Sequence, residues 1–231
     1  MKRIYFLLLA SLLSFTSAAQ AHFPNQTPEA DYAESRSLYD RALYSSASEG
    51  FQSILRRVDK QTDLAEQSHC YRVLCAIKLM NRDSDEQVHG FLQSYPTSAR
   101  RVELLIEMSE YAFNRRRYKD AKKWLKQLDG VRLPKAQRAA VQFKLGYSYF
   151  LLKEYDQARP QLAAVKASKY PDAKSAQYYY GHIAYLDSND VTALACFEPL
   201  RSHQQFGAVV PYYLAQIYAR NGMDNELLGL G

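Results

Sequence analysis

The side chains that could do chemistry in this 231-residue chain are five histidines (His22, His69, His89, His182, His203), three cysteines (Cys70, Cys75, Cys196) and scattered carboxylates. A zinc hydrolase needs two His on one helix face with a Glu between them, and no HExxH run occurs. Acyl transfer on a nucleophile elbow needs GxSxG, and nucleotide phosphates need GxxxxGK[ST] or GxGxxG; all are absent. Gly90, Gly130, Gly146 and Gly181 stand singly, at turns or packing positions. Paired acids such as Asp83 and Asp85 fall in a polar turn, where solvation is their ordinary role. Cys70 and Cys75, five apart on one helix, point about 140° apart at 100° per residue. That is poor geometry for a bridge. Cys75 and Cys196 fall in apolar helical patterns and read as small buried hydrophobes. With no CxxC, neither a disulfide framework nor a metal site is expected. His182 stands beside Tyr178 and Tyr185 on a helical face, with no nucleophile or carboxylate in register. It reads as a partner-contacting or exposed imidazole. The chemistry-bearing residues therefore point away from an enzyme, a cofactor or a metal.

The elements that hold these residues must be helical. Hydrophobic residues make up 47% of the chain and aromatics 13%, enough for a packed core, while Gly (9) and Pro (8) are sparse for a β-rich fold. The 19 Tyr outnumber the 10 Phe, which favours helices with amphipathic aromatic faces. Asp31 to Tyr44 and Ala139 to Leu152 carry apolar residues at i, i+3/i+4 spacing. Asn81–Asp85, Tyr95–Ser98, Tyr170–Asp172 and Asp187–Asp190 supply turn chemistry. Pro171-Asp172 suits a helix start, and Pro199, late in a helix, predicts a bend or an early end.

The first 21 residues have a different character. Lys2 and Arg3 precede an apolar run, Ile4–Leu13, broken only by Ser11, and Ala19-Gln20-Ala21 has the small-x-small form of a cleavage site. This predicts a secretory signal peptide over residues 1–21, with export after cleavage following Ala21. Spanning a bilayer needs about 20 apolar residues, and Ser14, Thr16 and Ser17 cut the run short. No Cys follows the cleavage site, so a lipoprotein anchor is not expected. Without Lys2 and Arg3, 28 cations face 24 acids, and the net charge falls from +6 to +4. Such mild, interspersed charge gives no argument for nucleic acid. The one cationic cluster, Arg115-Arg116-Arg117, belongs at a helix C-terminus, where the dipole favours it.

The helices repeat. With Gly146 at position eight of a 34-residue unit, Leu145 takes seven, Tyr149 eleven, Tyr155 seventeen, Ala158 twenty and Leu162 twenty-four. A shift of 35 puts Gly181, Ala193 and Phe197 at eight, twenty and twenty-four, and a further 34 brings Ala215 to eight. Going backwards, Tyr118, Ala121 and Leu125 take seventeen, twenty and twenty-four, with Ser109 at eight. A looser unit places Ala76 at eight and Val88 at twenty. Glu29–Tyr44 and Ser46–Val58 suggest another divergent pair. A small residue at eight lets the partner helix approach, and Ala at twenty is its counterpart. This residue and spacing pattern resembles the tetratricopeptide repeat (TPR) family, although no Trp occupies position four and the sole Trp, Trp124, lies in a second helix. The resemblance, of an exported bacterial envelope type, implies an all-α, right-handed superhelical solenoid of antiparallel helix pairs, with about five repeats. Residues 22–98 form its divergent part and residues 99–231 its regular part. The chain stops inside its last expected hairpin, as a fragment of a longer protein would.

In this family the concave groove is lined by positions two, five, nine, twelve and thirteen. Carried onto this chain, those positions name Phe143, Tyr147, Phe150, Tyr178, His182, Tyr185, Tyr212 and Gln216 as the partner-binding set, flanked by Leu151, Leu186 and Arg220. Tyr combines large contact area with a polar tip, which suits a protein or peptide partner. A Lys/Asn carboxylate clamp in register is absent. The expected function is thus a non-enzymatic protein-interaction scaffold in the bacterial envelope, with association with outer-membrane or envelope complexes in view. Two alternatives stay open: a BamD-like outer-membrane assembly subunit, or the recruiting arm of a longer enzyme or signalling protein.

Overall fold

The computed structural model describes residues 27–230, so the signal-peptide segment lies outside the described residues. Twelve α-helices follow in order among them: α1 (Pro28–Asp40), α2 (Tyr44–Leu55), α3 (Asp63–Lys78), α4 (Ser84–Ser94), α5 (Arg101–Asn114), α6 (Tyr118–Lys126), α7 (Lys135–Leu151), α8 (Tyr155–Lys166), α9 (Ala173–Leu186), α10 (Asp190–Phe197), α11 (Val210–Arg220) and α12 (Asp224–Leu228). No strand is present among the described residues. Two compact units are separated between Tyr71 and Arg72, inside α3. The division at residue 98 expected from sequence rests on repeat regularity, a separate criterion from compactness.

One turn closes the hairpins of both units. Ala42, Met80, Arg116, Lys153 and Ser188 have φ between 57° and 61°, and Gly222 has 66°. The residue after each sends its N–H back five positions: Arg117 to Ala112, Glu154 to Tyr149 and Asn189 to Ala184, each at 2.9 Å. This left-handed cap satisfies carbonyls that a helix end otherwise leaves orphaned. Five of the six positions carry a side chain where glycine would be least strained. The cap also fixes the register of the N-terminal pairs. Counting from Ala42, Ser35 takes position eight, Tyr44 seventeen, Ala47 twenty and Phe51 twenty-four. Ser35, Ala47 and Phe51 are wholly buried. Counting from Met80 moves Ala76 to position eleven, not eight, and puts buried Val73 at eight. Val88 keeps position twenty because Asn81-Arg82-Asp83 lengthen the turn by three residues. Ser84 closes that longer turn by donating its hydroxyl to Ala76 O at 3.0 Å and Asn81 O at 2.8 Å.

Within the first unit, α1 packs on α2. Thr27 caps α1 through Oγ1, and Tyr32, Phe51 and Tyr71 gather their rings within 6.3 Å of one another. Buried Asp31 is paired with Arg57. Within the second unit, α5 pairs with α6, α7 with α8, α9 with α10 and α11 with α12, and successive pairs stack through α6–α7, α8–α9 and α10–α11. This is the expected solenoid of antiparallel hairpins.

The small-residue positions sit where that packing demands them. A Cβ on Gly181 would lie 2.6 Å from Cys196 Cβ, and one on Gly146 3.0 Å from Leu162 Cγ. Ser109 is buried, its hydroxyl turned back onto Ile106 O. Ala215 is only half-buried, because α12 spans five residues and covers less of α11 than the longer second helices cover elsewhere. Ala121, Ala158 and Ala193, at position twenty, are fully buried. Pro199 acts as expected: α10 stops at Phe197 and a 3-10 turn follows over Glu198–Leu200. Pro171 and Asp172 precede α9, but the Asp172 side chain accepts no capping hydrogen bond, and burial raises its pKa. The Arg115–Arg117 triplet forms the turn after α5, with Arg117 paired to Asp120.

Candidate functional site

The first helices of successive pairs, α5, α7, α9 and α11, supply one continuous run of rings in the second unit. Phe113 of α5 meets Tyr147 of α7 at 5.7 Å between centroids, and Tyr147 meets Tyr179 of α9 at 4.7 Å. Phe150 touches both Tyr179, at 4.9 Å, and His182, at 5.3 Å. His182 meets Tyr213 of α11 at 5.2 Å, and Tyr185 meets the same ring at 5.1 Å. Every contact lies in the offset or edge-to-face range in which ring quadrupoles attract.

Helical spacing explains the run. Positions five, nine and twelve recur at i, i+4 and i+7 and share one face. Phe143, Tyr147 and Phe150 are that triplet on α7; Tyr178, His182 and Tyr185 are its counterpart on α9. The Tyr178 and Tyr185 rings lie within 7° of parallel to the His182 imidazole on either side. Of the eight sequence-predicted residues, these six form one contiguous cluster. Gln216 joins it by accepting a hydrogen bond from the Tyr185 hydroxyl. Tyr212 does not: it points outward, 63% exposed, and touches the cluster only through the edge of Tyr213.

The cluster is half-buried. Each ring covers its neighbours on the adjacent pair, so the residues that stack the repeats are also those that floor the face. Burial makes the hydroxyls reluctant to ionise: Tyr178 is pushed up to about 12, with Tyr213 as a second cause, and Tyr179 is raised further. Burial also lowers the His182 pKa, and its Nδ1 is buried with no hydrogen-bond partner. The rings of Phe150, Tyr178, Tyr185 and Tyr213 lie around this imidazole, and burial favours its neutral form. Cys75 is buried as well, and burial pushes its thiol up to about 12. Among the described residues no group of three His, Cys, Asp or Glu comes together to hold a metal ion.

Three contributors fall outside the groove positions carried over from the family. Tyr179 and Tyr213 stand at position six, which that pattern treats as off the face. Yet position six of one unit meets position nine of the preceding one: Tyr179 with Tyr147, Tyr213 with His182, and Lys144 with Glu110. The pairing of aromatics at 147/179 and 182/213, and of opposite charges at 110/144, is a usable signal in the sequence. Phe206 lies in the connection before α11 and stacks on Tyr178 at 4.5 Å, within 10° of parallel. Its loop position carries no periodicity, so sequence spacing could not find it.

The rim of the face is polar and apolar by turns. Leu151 and Leu186, at position thirteen, are exposed. Arg220 lies 4.9 Å over the Tyr185 ring and is held by Asp190, whose pKa is lowered by that contact.

No family model matches this sequence, and no curated protein matches it. Solved structures match the fold. A Pseudomonas aeruginosa pilF structure superposes with a TM-score of 0.54 at 15% identity, covering 88% of each chain. A Podosopora anserina putative kinesin light chain with nearly identical TPR-like repeats gives 0.53 at 13% identity, covering 86% of this chain and 99% of that one. At these identities the likeness is one of fold: TPR-like helix pairs.

Proposed function

We propose that this chain is a non-enzymatic scaffold that holds a protein segment along the face of α7, α9 and α11. The observation that carries the reading is the aromatic cluster of Phe143, Tyr147, Phe150, Tyr178, His182 and Tyr185, edged by exposed Leu151, Leu186 and Tyr212. Preformed, rigid rings offer contact area at little rotamer cost, and the exposed trio offers side chains not already committed to packing. The TPR-like fold of pilF and of the kinesin light chain supports a binding role over catalysis. The tripartite N-terminal segment supports export, which would place the face in the periplasm or envelope of a bacterium.

The structure changes which residues should be tested. Tyr178 and Tyr185 are engaged with Phe206, Tyr213 and Gln216, so their removal would loosen α9 from α11 as well as alter the face. Leu186 and Tyr212 are the cleaner probes. A photo-crosslinking residue at 212 or 186, in cells of the source organism, should yield the same discrete adducts from both sites. Adducts of equal identity and yield from Ala164, exposed on α8, would sink the assignment of the face. Export is tested separately, by fusing residues 1–40 to alkaline phosphatase. Phosphatase activity is expected, and an inactive cytoplasmic fusion would remove the envelope setting.

A further inference from the structure

A second concavity lies away from the aromatic run, where α6 gives way to α7. It has a volume of about 390 Å3, within the size range of small-ligand pockets. Its origin is a length mismatch. α6 has 9 residues where α8 has 12, while α7 has 17. At 1.5 Å per residue α6 ends roughly 12 Å short of the length of α7. The connection over residues 127–134 bridges that overhang without filling it.

The walls are aliphatic. Leu125 and Leu128 come from the end of α6, Leu133 from the connection, and Val141 and Leu145 from one stripe of α7. None of the lining side chains is aromatic. The rim is polar and positively biased. Arg138, a turn before Val141, donates from Nη2 to Leu133 O at 3.2 Å and so braces the connection. Arg132 lines the cleft and has no hydrogen-bond or ion-pair partner among the described residues. Gln142 and Gln161 complete the rim, and Asp129, whose Oδ1 accepts the Gly130 N–H, sits on it as well. Two guanidinium groups against one carboxylate leave a local charge of about +1, which attracts an anionic head group. A guanidinium fork suits a planar carboxylate.

We infer that this cleft binds a small monoanionic amphiphile, a straight-chain carboxylate whose tail lies on Leu125, Leu128, Leu133, Val141 and Leu145 and whose head meets Arg132 and Arg138. The site is independent of the aromatic face and does not rest on the proposed function.

Calorimetric titration of the full chain with hexanoate, octanoate and decanoate, all below their micellar concentrations, tests it. Affinity is expected to rise by up to about fourfold per added methylene over the first few and then level off, because Leu125, Leu128, Leu133 and Leu145 are buried and leave little apolar surface open. Arg132→Glu, an exposed change, should weaken octanoate binding about tenfold or more while helicity stays native. Val141→Trp should abolish binding by filling the space. Methyl octanoate, which keeps the tail and loses the charge, should bind at least tenfold more weakly. Equal binding of ester and acid, indifference to Arg132→Glu, or no binding of any chain length would overturn the inference. Tighter binding of octyl phosphate would overturn the monoanion preference. Tighter binding of a Leu-terminated tetrapeptide would reassign the cleft to a peptide end.

Discussion

Two junctions between successive repeats use the same geometry and opposite chemistry. Between α5 and α7, position nine meets position six as Glu110 and Lys144, a 2.5 Å ion pair at the surface. Between α9 and α11 the same positions are His182 and Tyr213, whose rings touch at 5.2 Å, with Tyr185 against Tyr213 at 5.1 Å. An exposed ion pair contributes about 0–1 kcal/mol and is screened by salt. A half-buried aromatic contact excludes water and is indifferent to salt. The repeat geometry therefore does not dictate the junction chemistry. Phe113 and Tyr147 put rings at the α5–α7 junction too, so what differs is the pair at positions nine and six: charged there, aromatic between α9 and α11.

The most severe way to break this comparison is to separate the hairpins themselves. Gly181→Leu would drive a side chain into Cys196 and Phe197, where even a Cβ has no room. It is expected to cost about 3 kcal/mol or more, read as a melting temperature lower by roughly 6–12 °C. Unchanged melting would mean that α9 and α10 do not touch there. Tyr213→Ala comes next, at about 2–3 kcal/mol, because it removes a ring shared by Tyr178, His182, Tyr185 and Phe197. A loss no larger than that of Lys144→Ala would erase the distinction between the junctions.

Acidification offers a milder, more selective probe. The folded-state pKa of His182 is lowered by burial. The unfolded chain therefore binds the proton first, and stability falls as pH drops below about 6.5. Stability attributable to neutral His182 is fully present above that pH and is lost as pH falls towards the depressed folded value. His182→Gln should flatten this limb in urea titrations between pH 7 and 5, and an unaltered slope would count against a neutral imidazole. The smallest effect is expected at the charged junction. Glu110→Gln should cost at most about 1 kcal/mol at low salt and nothing measurable at 1 M NaCl. A salt-independent cost would mean the contact is structural.

Much of this architecture is legible in the chain itself. The beat of Ser109, Gly146, Gly181 and Ala215 locates the interhelical contacts of the regular units, where small residues let the helices approach, and Ala121, Ala158 and Ala193 mark the opposing helix. The register of α3 is not legible. Ala76 imitates a position-eight residue, and the three extra residues of the turn appear only when the left-handed cap at Met80 is seen. The N-terminal pair is regular once its cap is placed: Ser35, Tyr44, Ala47 and Phe51 hold the same spacing as the later units. The candidate face is half legible. Period and residue type bring Phe143 through Tyr185 together, but position-six partners and Phe206 depend on how one pair lies against the next.

By itself the sequence determined that this chain folds as TPR-like antiparallel helix pairs. The spacing of small and aromatic residues is a one-dimensional record of where adjacent helices touch. Tertiary structure alone decided which tyrosines are committed to stacking and which, like Tyr212, stand free. It alone opened the cleft beneath Arg132. Both depend on helix lengths and on contacts between residues about thirty apart along the chain, which no local pattern encodes.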